Sequence, residues 1–248
     1  MAFPVLFVHG MWSSGAVWEG FAARFETRGH VVRTPSLPHH GAPGAAPSAL
    51  GRLGLADYLR FLRREADALP APPLLVGHGL GGLLVMRLAA EGVGFASTHL
   101  GTMAQGNRRW LLRVLRDVVS APGWWRRPVR LSAATAQRAL FRQLPPDAQA
   151  RALENLGYES GRVVREVAFA SPGRSTPWPA SGLPRPSLVV HGTEDRFASI
   201  AAAQAATRRA GPRATFTQLA GRGHWLPAEP GWEQLADDVA HWAGSFAP

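Results

Sequence analysis

Two residues that could move a proton, an aspartate and a histidine, stand in short polar turns toward the C-terminal end of the sequence. Asp195 ends the run His-Gly-Thr-Glu-Asp at residues 191–195, and His224 lies in the run Gly-Arg-Gly-His-Trp at residues 221–225. Each run follows a short stretch with the composition of a β-strand. A carboxylate that orients an imidazole makes it a general base, so the pair predicts acid–base catalysis. The chain has no cysteine, which excludes thiol catalysis and thiolate metal ligation.

A glycine-rich bend is the third motif that could belong to a catalytic site. The run Gly-His-Gly-Leu-Gly at residues 77–81 follows apolar residues and precedes a stretch with helical spacing. Gly77 and Gly81 let the backbone turn sharply and let strand and helix approach closely. This is the context of the nucleophile elbow Gly-x-Ser-x-Gly, but Gly79 stands where the serine should be. A phosphate-binding loop is excluded because no Gly-Lys-Ser/Thr follows.

With these motifs in the order bend, acid, histidine, the chain resembles the α/β-hydrolase superfamily, and esterase, thioesterase and lactonase-like members in particular. The resemblance covers the chain from one end to the other. It implies an α/β-hydrolase fold, with a mostly parallel sheet, helices on both faces and a helical lid insertion. It puts Gly79 at the nucleophile position, Asp195 rather than Glu194 at the acid position, and His224 at the position of the catalytic base.

The resemblance also implies an oxyanion hole and a substrate pocket. The turn after the first strand matches the oxyanion loop of the family, so the backbone N–H groups of Met11 and Leu80 would point at a substrate oxygen. Trp12 would line the pocket, and His78 and Trp225 are further candidates for contact with substrate. His78 occupies the variable position of the bend, which also favours a structural role.

Other histidines have a simpler interpretation. His9 is expected to hold its loop by hydrogen bonding. His39 and His40 are adjacent in sequence and have no acidic or cysteine partner nearby, so we interpret them as loop residues and not as metal ligands. No cofactor and no metal are predicted.

The glycine at position 79 has three interpretations. In the first, the serine of an ester, thioester, lactone or amide hydrolase has been replaced, so that the chain is an inactivated mutant. In the second, glycine is native, and Asp195 and His224 form a general base for direct attack by water or for cofactor-free lyase, isomerase or cyclase chemistry. In the third, the chain is a non-catalytic pseudohydrolase that binds a ligand. Glycine adopts the strained backbone of the elbow without cost, so folding is compatible with all three.

The pattern of elements must bring these motifs together. Short β-rich runs alternate with helical ones, which predicts a parallel sheet covered on both faces. The predicted strands lie at 4–8, 31–34, 74–76, 95–100, 187–190 and 214–219. The predicted helices lie at 17–27, 55–69, 80–90, 200–209 and 232–242. The alternation stops within 107–180, which predicts a core of 1–106 and 181–248 and a helical lid of 107–180 between its two parts.

Charge is concentrated in the predicted lid. The 248 residues carry a net charge of +10, and between Asn107 and Arg174 the chain has 13 arginines against five acidic residues. The first interpretation of this charge is a solvated surface. A basic surface beside a site also fits an acidic small-molecule substrate, or a substrate carried on acyl carrier protein or coenzyme A. No nucleic-acid recognition motif accompanies the arginines. The sequence shows no signal peptide and no apolar run long enough to span a membrane, so we expect a cytoplasmic protein.

Overall fold

A computed structural model describes residues 1–41, 47–103, 109–119, 122–169 and 182–248. The strands of its main sheet are β1 (Pro4–Val8), β2 (Val31–Arg33), β3 (Leu74–His78), β4 (Ala96–Leu100), β7 (Ser187–Gly192) and β8 (Ala214–Leu219). Within this described part of the chain, the six strands lie in the order β2-β1-β3-β4-β7-β8. All adjacent strands in the sheet run parallel. The parallel sheet predicted from the alternation of elements is therefore confirmed.

Helices cover both faces of the sheet, and the alternation of side chains explains why. In β1, Val5 and Phe7 join one buried cluster, whereas Leu6 and Val8 join another on the opposite face. Because both sets are apolar, each face must be covered. The covering helices are α1 (Glu19–Glu26), α2 (Leu55–Asp67), α3 (Leu80–Ala90), α8 (Ile200–Ala210) and α9 (Trp232–Gly244).

The segment between β4 and β7, here called the insertion, connects two strands that are neighbours in the sheet, with Ser97 opposite Ser187. It contains α4 (Arg109–Val118), β5 (Pro128–Val129), α5 (Ala133–Ala139), α6 (Pro146–Glu154), β6 (Glu159–Ser160) and α7 (Gly161–Ala168). The insertion is less purely helical than predicted, because β5 and β6 pair as a short antiparallel ladder. The predicted lid boundaries, 107 and 180, lie outside the described residues.

The insertion shares a hydrophobic core with the sheet. Trp110, Phe141 and Val163 of the insertion belong to the same buried cluster as Leu6 of β1 and Leu83 of α3. Burial of such large apolar side chains stabilises a fold by about 1.5–3 kcal/mol each. None of the helices in the described ranges is long and apolar enough to cross a lipid bilayer.

Candidate active site

The bend after β3 has the geometry of a nucleophile elbow. Gly79 links β3 directly to α3 with φ 55° and ψ −112°, a region of backbone space that favours glycine. A Cβ at Gly77 would collide with the carbonyl oxygen of Gly81, and a Cβ at Gly81 would collide with the carbonyl oxygen of Val8. The two outer glycines are therefore required by the close approach of the helix to β3 and β1. The Gly79 N–H donates to the carbonyl of Leu100 at 2.9 Å.

Asp195 and His224 form a buried, hydrogen-bonded pair. Nδ1 of His224 lies 2.9 Å from Oδ2 of Asp195. The other carboxylate oxygen, Oδ1, accepts the backbone N–H groups of Phe197 and Ala198, both at 2.8 Å. Burial opposes ionisation of Asp195, but His224 and these hydrogen bonds outweigh it and hold the pKa of the carboxyl below its ordinary value. With Asp195 ionised, the proton of the His224 ring belongs on Nδ1, which leaves Nε2 as the basic nitrogen.

The basic nitrogen of His224 faces Gly79. A Cβ built on Gly79 would lie 3.5 Å from Nε2 of His224 and 3.8 Å from Cα of Gly10, both ordinary van der Waals distances. A serine side chain would therefore fit at this position, with its hydroxyl within hydrogen-bond reach of the imidazole. The structure thus brings the bend, the acid and the histidine together.

Two backbone N–H groups beside the bend are candidates for the oxyanion hole. Leu80 is the first residue of α3, where N–H groups have no partner within the helix. Met11 lies in the turn after β1, and neither its N–H nor that of Leu80 donates to any residue in the described ranges. The next residue, Trp12, is fully buried with φ 58°, a left-handed conformation that costs a non-glycine residue about 1–3 kcal/mol. Such strain commonly accompanies functional loops.

His78 lies against the histidine loop. Its Nε2 donates to the carbonyl oxygen of His224 at 2.8 Å, and its ring packs against the ring of Trp225 with centroids 5.1 Å apart. Burial and the neighbouring His224 lower the pKa of His78 to about 3, so that the ring is neutral. The structure therefore gives His78 a contact that orients the backbone of His224.

An open cavity of about 300 Å³ borders Trp12 and Trp225, two of the residues that the resemblance assigned to substrate contact. Its wall comes from three parts of the chain: the turn after β1 with α1, helix α6 of the insertion, and the loop that follows His224. It is lined by Trp12, Ser13, Ser14, Ala16, Val17, Glu19, Gly20, Ala148, Arg151, Ala152, Asn155, Trp225, Pro227, Ala228 and Trp232.

His9 and His40 hold loops beside the site. Nε2 of His9 accepts the N–H of Leu37 at 2.9 Å, which fixes the loop after β2 against β1. His40 is buried, and its Nε2 lies 3.3 Å from Oε2 of Glu159, the first residue of β6. Burial alone would lower the pKa of His40, but the Glu159 carboxylate outweighs it and raises that pKa. His40 therefore joins the insertion to the core, a role that its sequence neighbourhood did not predict.

Three residues of the site were missed in the sequence. The ring of Phe197 lies 4.8 Å from that of His224. Gly101, with φ 53°, lies so close to the pair that a Cβ there would be 3.2 Å from Nδ1 of His224. Glu229 is fully buried and bonds the loop around His224. Only Glu229 left a signal, as a lone acid in an apolar turn.

No group of three or more His, Asp or Glu residues in the described part of the chain could hold a metal ion.

Comparison with known proteins identifies the class. The model of the alpha/beta hydrolase family matches residues 5–238, so the chain belongs to the α/β-hydrolase family. A pyrethroid hydrolase of Sphingobium wenxiniae is 31% identical over 88 residues, which cover 34% of this chain and 30% of that protein. The aligned part is thus about a third of either protein.

Solved structures share the fold over nearly the whole chain. A pyrethroid hydrolase of Sphingobium faniae is 20% identical with a TM-score of 0.75, and covers 98% of each chain. A monoacylglycerol lipase of Paleococcus ferrophilus is 20% identical with a TM-score of 0.76, and covers 98% of this chain and 95% of its own. Tomato methylketone synthase I, solved with 2-tridecanone, is 18% identical with a TM-score of 0.72 and covers 100% of each chain. Ester hydrolases thus stand among the proteins that share this fold.

Proposed function

We propose that the chain is an ester-hydrolase-type enzyme in which Asp195 and His224 activate a water molecule at the place where a serine hydroxyl would stand. The observation that carries the proposal is the position of Nε2 of His224, 3.5 Å from where a Cβ of residue 79 would lie. Glycine leaves room there for a water molecule within reach of the base. No acyl-enzyme is formed at this position, because Gly79 has no hydroxyl.

The proposed reaction has one displacement in place of two. Nε2 of His224 takes a proton from water, and the water oxygen attacks the carbonyl carbon of the substrate. The N–H groups of Met11 and Leu80 receive the oxyanion that develops on the carbonyl oxygen. The C–O bond to the alcohol then breaks, and His224 returns its proton to the leaving oxygen. Asp195 keeps the ring oriented and stabilises its protonated form.

The residues of the site define the substrate by class. An ester, thioester, lactone or amide carbonyl fits the base and the two donors. The cavity that borders Trp12 and Trp225, whose lining includes neither Gly79 nor His224, is the place that we assign to an apolar part of the substrate. The insertion acts as a lid in this proposal. Its arginines favour an acidic substrate group, acyl carrier protein or coenzyme A, whose binding would weaken as salt concentration rises.

A second function is favoured by the same missing hydroxyl. With no nucleophile, His224 could remove a proton next to a carbonyl, and the oxyanion donors would hold the resulting enolate, as in a cofactor-free lyase, isomerase or cyclase. Methylketone synthase I shares the fold. Non-catalytic ligand binding is the remaining possibility, and the buried, aligned Asp195–His224 pair argues against it.

The test is hydrolysis of a short acyl ester by the chain and by His224→Ala. We expect His224→Ala to lower kcat by about 10²–10⁴, the usual contribution of a general base. His241→Ala replaces an exposed histidine on α9 and should leave kcat unchanged. Equal rates in all three proteins would contradict hydrolysis. Ester turnover absent from all three, with His224-dependent exchange of the hydrogens next to a ketone carbonyl for solvent deuterium, would support the second function.

A further inference from the structure

Glu229 is a fully buried carboxylate that the proposed reaction does not use. Its Oε2 accepts the backbone N–H of Gly223 at 2.6 Å, and its Oε1 accepts the backbone N–H of Trp225 at 2.8 Å. These are the N–H groups of the two residues that flank His224 in the sequence. A carboxylate in the interior is costly unless it is hydrogen-bonded, so its presence in this loop needs an explanation.

The loop is built around this carboxylate. The N–H groups of Ala228 and Glu229 donate to the carbonyl of Trp225 at 3.0 and 3.1 Å, which closes a tight turn and brings the Glu229 side chain back beneath His224. Nε of Arg222 lies 3.4 Å from Oε2 of Glu229 and partly neutralises the buried charge. A Cβ at Gly223 would lie 2.9 Å from Oε1, so the glycine makes room for the carboxylate.

A hydrogen bond from His78 also helps to fix the backbone of His224. His78 donates to the carbonyl oxygen of His224 at 2.8 Å. The peptide group after His224 is therefore held at both its C=O and its N–H, and the N–H of Gly223 is held as well. The 2.9 Å bond to Asp195 then orients the ring. A catalytic group must be held within a fraction of an ångström of its productive position, and surrounding hydrogen bonds do this.

We propose that Glu229 is a positioning residue, which holds the imidazole of His224 over Gly79 by binding the N–H groups of Gly223 and Trp225, the residues before and after it. The proposal rests on the proposed function for its effect on turnover, but not for its effect on the His224 ring. In Glu229→Gln, one of the two acceptors becomes an NH₂ group that faces an N–H donor. The N–H of Gly223 or of Trp225 is then released, and the ring loses its alignment with Asp195.

The experiment has a readout that does not depend on turnover. The proton on Nδ1 of His224, bonded to a carboxylate, gives a low-field ¹H NMR signal that His224→Ala identifies by removing it. We expect Glu229→Gln to shift or broaden this signal while the protein keeps its circular dichroism and a cooperative thermal transition. Glu233→Gln, at an acid on the solvent side of α9, is the matched control and should leave the signal unchanged.

Kinetics in the Gly79→Ser background give the second readout. We expect Glu229→Gln to lower kcat about tenfold or more with KM nearly unchanged, since alignment of the base acts on the transition state. Should Glu229→Gln not fold, Glu229→Asp, which keeps the carboxylate but shortens its reach to the two N–H groups, replaces it in both measurements. An unaltered low-field signal together with an unaltered kcat overturns the positioning role. A shifted signal without ester hydrolysis in any variant overturns only the proposed function.

Discussion

Residue 79 decides the chemistry available to this chain, because its backbone has the elbow conformation but its side chain is absent. The φ of 55° and ψ of −112° are those that a strained nucleophile must adopt, and glycine adopts them freely. In the proposed reaction, the site therefore has a base and backbone N–H donors without a side chain that would attack. At this scale, the sequence predicted the aspartate, the histidine and the glycine, because each belongs to a motif with a fixed spacing.

Gly101 lies against the Asp195–His224 pair and leaves little room for a side chain. A Cβ at this position would press on Nδ1 of His224 at 3.2 Å and on Oδ2 of Asp195 at 3.4 Å, and φ 53° adds strain. We expect Gly101→Ala to destabilise the fold by about 1–3 kcal/mol and to lower kcat further by displacing the pair. Gly92→Ala is the control, since Gly92 has φ 81° and nothing within 4 Å of its Cβ. Urea unfolding and ester kinetics measure both effects, and equal losses of kcat in the two variants would contradict a specific effect on the pair.

Several buried hydrogen bonds attach the insertion to the core. Around residues 157–160, the Gly157 N–H donates to the carbonyl of Trp12 at 2.9 Å and the Ser160 hydroxyl donates to the carbonyl of Leu53 at 2.6 Å. Between them, Glu159 accepts the hydroxyl of Tyr58 at 2.8 Å and pairs with His40. The insertion is thus bonded to the strained turn that carries Met11.

This attachment predicts a difference between the two tyrosines of the chain. Tyr58→Phe removes a buried hydrogen bond to a carboxylate, and we expect it to lower the free energy of unfolding by about 1–3 kcal/mol. Tyr158→Phe is the matched control, because Tyr158 is only partly buried and contacts Arg130 through its ring. Denaturant midpoints measure the difference, and equal midpoints for the two variants would show that the Glu159 cluster adds nothing.

The elements themselves were well predicted where the apolar period was clear. The strands at 4–8 and 214–219 and the helix at 80–90 have the predicted bounds. The short pairing of β5 with β6 was missed, because two-residue strands have no periodicity and depend on contacts across the insertion. The roles of Glu229, Gly101 and His40 were also missed, since each depends on contacts between residues distant in sequence or on a closed turn that spacing alone does not reveal.

The whole molecule carries an unusual set of buried neutral histidines. Burial lowers the pKa of His9 and His78 to about 3 and that of His99 and His191 to about 4. In the unfolded chain these rings have pKa values near 6.5. Below that pH the unfolded state therefore binds protons that the folded state does not bind. Their contribution to stability is therefore present above about pH 6.5 and is lost as pH falls toward the folded-state values of about 3 to 4.

The contribution of a single histidine to the pH dependence of the free energy of unfolding can be measured. We expect the free energy of unfolding to fall between about pH 6.5 and 4, with each such ring contributing at most about 1.4 kcal/mol per pH unit. His191→Phe removes one ring, whose Nδ1 lies 3.7 Å from Oδ2 of Asp195 and whose nitrogens form no hydrogen bond with any residue in the described ranges, so the slope should decrease by up to that amount. Urea unfolding at several pH values measures the slope. A slope unchanged in His191→Phe would show that this ring is not neutral in the folded protein.

The convergence of base, donors and bend at residue 79 is tested most directly by Gly79→Ser. The variant is mixed with a short acyl ester and quenched within one turnover, and the intact mass of the protein is measured. We predict that Gly79→Ser gains the mass of one acyl group on the introduced hydroxyl and shows a burst of alcohol release. Both should be lost when Gly79→Ser is combined with His224→Ala. A folded Gly79→Ser protein that gains neither acyl mass nor esterase activity would contradict the account.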